Sequence, residues 1–176
     1  TVAAGMEVMQ CTSSTTGRST ASSLKSSRTC VTSSIQTISK KTNMDLSIVI
    51  PTLNEEHKIE KDVAENARFL HDSGLSGEII IVDDGSTDNT AKAASSVHVP
   101  PDIKLNVIHY EPNRGKGYAI RTGMKESLGD YVMFADSGLC VPLGFIKTGL
   151  SMLQSGTCDI AHASRRHPRS VIRHGA

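Results

Sequence analysis

The amino-acid sequence predicts an α/β fold, a mostly parallel sheet flanked by helices. Two features carry that prediction. Apolar runs of strand length, residues 46–50 (Leu-Ser-Ile-Val-Ile) and 78–82 (Glu-Ile-Ile-Ile-Val), suit strands covered on both faces. Between such runs lie segments whose apolar residues recur every three or four positions, the period of an amphipathic helix. Strands and helices alternating in this way imply parallel pairing through crossover connections.

The elements follow in order. The first strand, 46–50, runs into Pro51-Thr-Leu-Asn-Glu-Glu56. Asn54 suits a helix N-cap, and Glu55 and Glu56 suit the first turn. Ile59, Val63, Ala67 and Leu70 then share one helical face, and Gly74 is a stop signal. The second strand ends at Asp83, and a short helix is expected over 88–97. Pro100 and Pro101 break the chain before a third strand, 103–109. A glycine-bearing segment, 113–117, opens a helix with Ile120, Met124 and Leu128 on a common face. Gly129 and Asp130 turn into a fourth buried strand, 131–135, followed by a helix over 142–154 and a last strand, 159–163.

At 176 residues with a formal net charge of +1, the chain has room for one domain and an appendage. The charge is unevenly spread. Residues 1–43 carry one acid, Glu7, against Arg18, Lys25, Arg28, Lys40 and Lys41, in a background of Ser and Thr. Such composition buries too little apolar surface to offset chain entropy, so disorder is expected over 1–43 and a folded domain over 44–176. The acid-poor basic stretch also resembles an organelle transit peptide; the alternatives are an expression artefact, a translated upstream region or a plain solvated tail. No stretch approaches the roughly 18 consecutive apolar residues of a membrane-spanning helix. Cys11, Cys30, Cys140 and Cys158 show no CxxC spacing, which indicates neither a zinc site nor a disulfide framework.

Ligands of open α/β sheets bind beyond the carboxyl ends of the strands. The Asn, Glu and Asp residues that follow the first two strands therefore stand where a ligand's polar groups would be held. Carboxylates at Asp83 and Asp84 suit a base N–H or ribose hydroxyls. The competing role is structural, a turn in which Asp83, Gly85, Ser86 and Asp88 cap the next helix. In 113–117 the glycines allow close backbone approach and the helix start favours anions, with Arg114 and Lys116 facing phosphate or water. This segment is not a P-loop. Nor is it Gly-x-Gly-x-x-Gly, since Ile120 holds the third glycine position, which argues against an ATPase and against a dehydrogenase.

Four segments in order, 47–56, 79–90, 113–123 and 129–136, resemble the inverting nucleotide-sugar glycosyltransferases of glycosyltransferase family 2. The resemblance extends over about 45–173. It implies the GT-A fold, a Rossmann-like nucleotide-diphospho-sugar transferase architecture, incomplete here at the C-terminus. The local similarity of 113–124 and 164–170 to dolichyl-phosphate glucosyltransferases implies transfer of a sugar from a UDP- or GDP-sugar to a polyprenyl phosphate. A nucleotide-binding remnant without turnover and a transferase acting on a polysaccharide hydroxyl are the alternatives.

The same resemblance assigns Pro51, Asn54, Glu55, Asp83 and Asp84 to the nucleotide pocket; Arg114 and Lys116, from the chemistry of the 113–117 segment, are the further donor-binding candidates. It assigns Asp136 to the Asp-x-Asp that holds Mg²⁺ or Mn²⁺, although Ser137 and Gly138 follow here and the second carboxylate is missing. Mg²⁺ is often held by one or two carboxylates plus phosphate oxygens, so a single aspartate suffices in principle. Asp136 and Arg165 are the catalytic candidates, Arg165 (then Arg166) meeting the acceptor phosphate. A phosphate acceptor is already ionised and needs little from a general base. The expected partners are a nucleotide-sugar donor and a polyprenyl phosphate, with no nucleic acid, and with any membrane contact peripheral or through parts missing here. The expected location is the cytosolic face of a membrane or the cytoplasm, unless residues 1–43 direct the chain to an organelle.

Overall fold

The computed structural model describes residues 8–12, 44–139 and 142–164. Its elements are β1 (Val8–Thr12), β2 (Leu46–Thr52), α1 (Ile59–Asp72), β3 (Gly77–Asp83), α2 (Thr90–Ser96) and β4 (Ile103–His109). These are followed by α3 (Lys116–Glu126), β5 (Tyr131–Phe134), α4 (Gly144–Gln154) and β6 (Ile160–Ser164). Strands β4, β3, β2 and β5 form one parallel sheet in that order. All four carboxyl ends therefore open on the same edge.

The two apolar runs become the two central strands, and every residue of β2 and β3 is buried. Side-chain alternation splits them between two cores. Ile48, Ile50, Ile79 and Ile81 pack with Ile59, Val63, Ala67 and Leu70 of α1 and Ala94 of α2. Val49, Ile80 and Val82 face the other way, onto Ala119 of α3. Pro51 sits in central β2, paired with Val82. Its missing N–H falls on the β5 side, where pairing has already ended at Val49 and Phe134, so no ladder bond is lost.

Three expectations are corrected. Composition predicted no regular element before Met44, yet Val8–Thr12 form a strand antiparallel to β6. Five residues that tolerate extended backbone suffice, because the pairing satisfies main-chain groups of both strands. The rest of 1–43, with its expected disorder and targeting role, lies outside the described residues. The last strand was expected to continue the parallel sheet; instead β6 pairs with β1, and its alternating exposure suits a half-covered antiparallel pair. The fourth strand was expected to be buried. Among the described residues β5 pairs only with β2 and is a sheet edge, with Val132 40% and Phe134 49% exposed.

Helix α3 also docks differently from its expected face. Ala119 and Gly123 are buried against the sheet, while Met124 and Leu128 are exposed. Small residues let the helix axis approach the strands, and the large ones turn outward beside β5. There Met124 helps line an apolar groove of about 560 Å³ between β5, α4 and β6.

One buried carboxylate secures the opposite end of the sheet. Glu78 Oε1 accepts from the Ser47 hydroxyl at 2.6 Å and from the Leu128 N–H at 2.6 Å. Ser47 Oγ accepts in turn from Gly129 N–H at 2.9 Å. Glu78→Ala strips these buried donors of their acceptor and is expected to cost about 2–4 kcal/mol in urea unfolding. Glu78→Gln retains a carbonyl acceptor and is expected to lose less than half of that.

Candidate nucleotide-binding site

The site grows from the loops that leave the four strand ends. Two of them are stitched together. Main-chain N–H groups of Asn54, Glu55 and Glu56 donate to Ser86 Oγ, Thr90 Oγ1 and Asp88 Oδ2 at 2.9, 2.8 and 3.3 Å. In return, Thr87 N–H donates to Asn54 Oδ1 at 2.9 Å and Asn89 N–H to Glu56 Oε2 at 2.8 Å. Asn54 is therefore not the cap of α1, which begins five residues later. It takes a left-handed conformation, φ 54°, that asparagine tolerates, and uses its amide oxygen to hold the neighbouring loop.

The acidic pair after β3 serves the frame. Asp83 is 1% exposed; its Oδ1 accepts from Ser86 N–H at 3.0 Å and from the Ser86 hydroxyl. Its Oδ2 lies 2.9 Å from Nδ1 of His109, which donates. The turn reading thus describes what Asp83 does. Asp84, 3% exposed, accepts from Arg114 N–H at 2.8 Å and fastens the 113–117 segment to β3. Gly85 is required between these loops. Its φ is 74°, and a Cβ there would stand 2.8 Å from Asn113 N.

Arg114 leaves this anchor to lie over the Tyr118 ring, 4.9 Å from its centroid, and donates to the Tyr118 hydroxyl at 2.8 Å. Tyr110 meets Tyr118 edge to face at 5.3 Å. The Tyr110 hydroxyl is buried without an aligned hydrogen-bond partner. Burial holds its phenol above the ordinary value of 10, and the charge of nearby Asp84 adds to the shift.

The circuit closes at β5. Lys116, the first residue of α3, places Nζ 2.5 Å from Asp136 Oδ1. Next to it, Ser137 donates to Glu55 Oε1 at 3.2 Å, and Glu55 Oε2 pairs with Lys58 at 2.8 Å. Contacts thus run unbroken from Asn54 and Glu55 through the 84–88 turn and the 113–117 segment to Asp136, then back to Glu55. Pro51, Asn54, Glu55, Asp83, Asp84, Arg114, Lys116 and Asp136 are all brought to this one mouth. Arg165 and Arg166 lie outside the described residues.

Sequence reasoning missed four contributors. His109, at the end of β4, is paired to Asp83 through a contact 26 residues long in sequence. Tyr110 and Tyr118 carried no polar pattern to mark them. Asp62 sat among helix-surface charges, yet it is buried and accepts from Gly138 N–H at 2.6 Å, fixing the loop that carries Asp136.

Burial raises the Asp62 pKa above its ordinary 3.8, the Gly138 hydrogen bond opposes this, and the charge of Glu55 adds to it. With the folded value above the unfolded one, the stability linked to protonation is present below about pH 3.8 and lost as pH rises through the folded value. Asp62→Asn keeps an acceptor for Gly138 and is expected to abolish that pH dependence in denaturant melts. Asp62→Ala also loses the hydrogen bond, costing about 1 kcal/mol more than the Asn variant.

Among the described residues no three His, Cys, Asp or Glu side chains are grouped as a metal cage. What fits a divalent ion is narrower, a single carboxylate whose preference for a cation is already displayed by the Lys116 ammonium resting on it. Such a site suits an ion that brings phosphate oxygens as its other ligands.

Comparison with known proteins places this geometry. The profile of "Glycosyl transferase family 2" matches residues 47–175. A dolichyl-phosphate beta-glucosyltransferase of Saccharomyces cerevisiae is 41% identical over 138 residues, 69% of this chain and 41% of that protein. A protein of the same name from Dictyostelium discoideum is 34% identical over 101 residues, 54% of this chain and 31% of its own length. The chain thus spans roughly a third to two-fifths of the curated relatives it matches. Among solved structures, Staphylococcus aureus TarS 1-349 superposes with a TM-score of 0.51 at 26% identity, covering 64% of this chain and 33% of TarS. The parallel sheet with helices on both faces is the GT-A architecture. The chain belongs to glycosyl transferase family 2.

Proposed function

We propose that this chain is the donor-binding portion of a glycosyltransferase that moves a sugar from a UDP- or GDP-sugar to a polyprenyl (dolichyl) phosphate, with inversion. The observation that carries the reading is the closed circuit of contacts joining all four strand-end loops, in a chain 41% identical to a dolichyl-phosphate beta-glucosyltransferase.

In this reading Pro51, Asn54, Glu55, Asp83 and Asp84 shape the nucleoside pocket, Asp83 and Asp84 largely by holding its walls in register. Arg114 and Lys116 face the diphosphate from the start of α3, where free N–H groups also favour an anion. Asp136, with its loop pinned by Asp62, is the carboxylate for Mg²⁺ or Mn²⁺. When bound, such an ion would offset charge building on the leaving diphosphate. Arg165 is proposed for the acceptor phosphate. Holding the two substrates in line, with no proton to remove from the acceptor, leaves positioning and charge as the chain's main contributions.

Among the described residues no helix is long and apolar enough to cross a membrane. Access to a lipid acceptor is proposed at a cytosolic membrane face. A second reading, nucleotide binding without turnover, is favoured by one observation, the Ser137-Gly138 that stands where a second carboxylate would be. Incubation with dolichyl phosphate and UDP-glucose or GDP-mannose, with Mn²⁺ and mass spectrometry of the lipid fraction, separates the two. A glycosylated lipid phosphate is expected; intact donor together with measurable nucleotide binding favours the second reading.

A further inference from the structure

We infer that Lys116 is a resident stand-in for the divalent cation at Asp136, so that the carboxylate opens to a metal only when a diphosphate draws the lysine away. This deepens the proposed donor site and rests on that reading. The Lys116 ammonium lies 2.5 Å from Asp136 Oδ1, on the carboxylate that would hold a metal ion in this reading. The neighbouring carboxylate, Glu55, is the more buried of the two and faces both the Lys58 ammonium and the Ser137 hydroxyl. An ammonium and a divalent ion at the same carboxylate repel each other, so the two compete.

Release of the lysine is built into its surroundings. Both Lys116 and Asp136 are at least half exposed, so their pairing is weak and exchangeable. Lys116 opens α3, and around Gly115 and Gly117 there is space for a ligand, with no atom within 4 Å of a Cβ placed at either. A diphosphate arriving there meets helix N–H groups and gives the ammonium a doubly charged partner better than Asp136. The same event frees Asp136 and delivers phosphate oxygens, the ligands a one-carboxylate metal site needs. Metal binding then follows the donor and does not precede it.

The test is a titration of the whole chain with Mn²⁺, reading free Mn²⁺ by its electron paramagnetic resonance signal, with and without UDP or GDP. Wild type is expected to bind Mn²⁺ weakly alone and at least about tenfold more tightly with the nucleotide. Lys116→Gln is expected to bind Mn²⁺ alone about three- to tenfold more tightly than wild type, and to gain less from nucleotide. Adding Asp136→Asn to that variant is expected to cancel the gain. Unchanged, weaker or undetectable Mn²⁺ binding by a folded Lys116→Gln protein, in the absence of nucleotide, overturns the inference. The donor reading fails separately, by absence of UDP and GDP binding to wild type at any Mn²⁺ concentration.

Discussion

Replacing Asp136 with alanine is expected to erase the Mn²⁺-dependent part of nucleoside diphosphate binding. The affinity measured with Mn²⁺ should fall about 10- to 100-fold, to the level found without metal, by analogy with losses in other metal sites. Asp136 is a half-exposed carboxylate whose nearest cation is an exposed and exchangeable lysine, and nothing in Ser137 or Gly138 replaces it. Metal-free binding should be unchanged or slightly tighter, because Lys116 loses its competing partner. A retained Mn²⁺ enhancement would mean that the ion is held elsewhere. Calorimetry of the two proteins side by side decides it.

The largest structural effect is expected at Gly123. A Cβ there would overlap Val49 Cγ1 and come within 3.0 Å of Val82 Cγ2, both in strands with no room to move. Exchanging a helical glycine for alanine normally gains about 1 kcal/mol. Here overpacking reverses the sign, and a net loss of about 1–3 kcal/mol is expected for Gly123→Ala, lowering Tm by roughly 4 °C per kcal/mol. Gly117 on the same helix is the control. No atom lies within 4 Å of a Cβ placed there, so Gly117→Ala should stabilise by roughly 0.5–1 kcal/mol. Equal effects at the two positions would show that α3 does not pack on β2 and β3 as described.

Much of the fold was legible because β2 and β3 are written in residues that admit one environment. Runs of isoleucine and valine, 48–50 and 79–82, followed by acids within a few residues, describe buried parallel strands with polar carboxyl ends. The edges were less legible. Tyr131-Val-Met-Phe134 reads like a core strand, yet what lies beside it depends on neighbours that its own sequence does not specify. Helix α3 misled for a related reason. Ile120, Met124 and Leu128 make the stronger apolar stripe, but Ala119 and Gly123 allow the closer approach, and the nearer packing surface won.

The candidate site was legible as a set of residues and only partly as a set of roles. Asn54 was expected to cap a helix and instead binds the neighbouring loop. Asp83 was expected at the ligand, and the structure shows its carboxylate held by Ser86 and His109. Thr87 lies 33 residues from Asn54 and His109 lies 26 from Asp83, which a local pattern does not reveal; the Asp83–Ser86 contact is the local turn that the sequence offered as the competing role. The Lys116–Asp136 pair spans 20 residues and two elements, and became visible only once α3 and β5 lay side by side.

The most direct measurement of the central claim is calorimetric titration of this chain with UDP and with GDP, each with and without Mn²⁺. Saturable binding of one nucleotide, tightened by Mn²⁺, is the expected result, and it assigns the donor base. Failure of both to bind a sample that unfolds cooperatively would contradict the donor-site reading and leave a glycosyltransferase framework without its ligand.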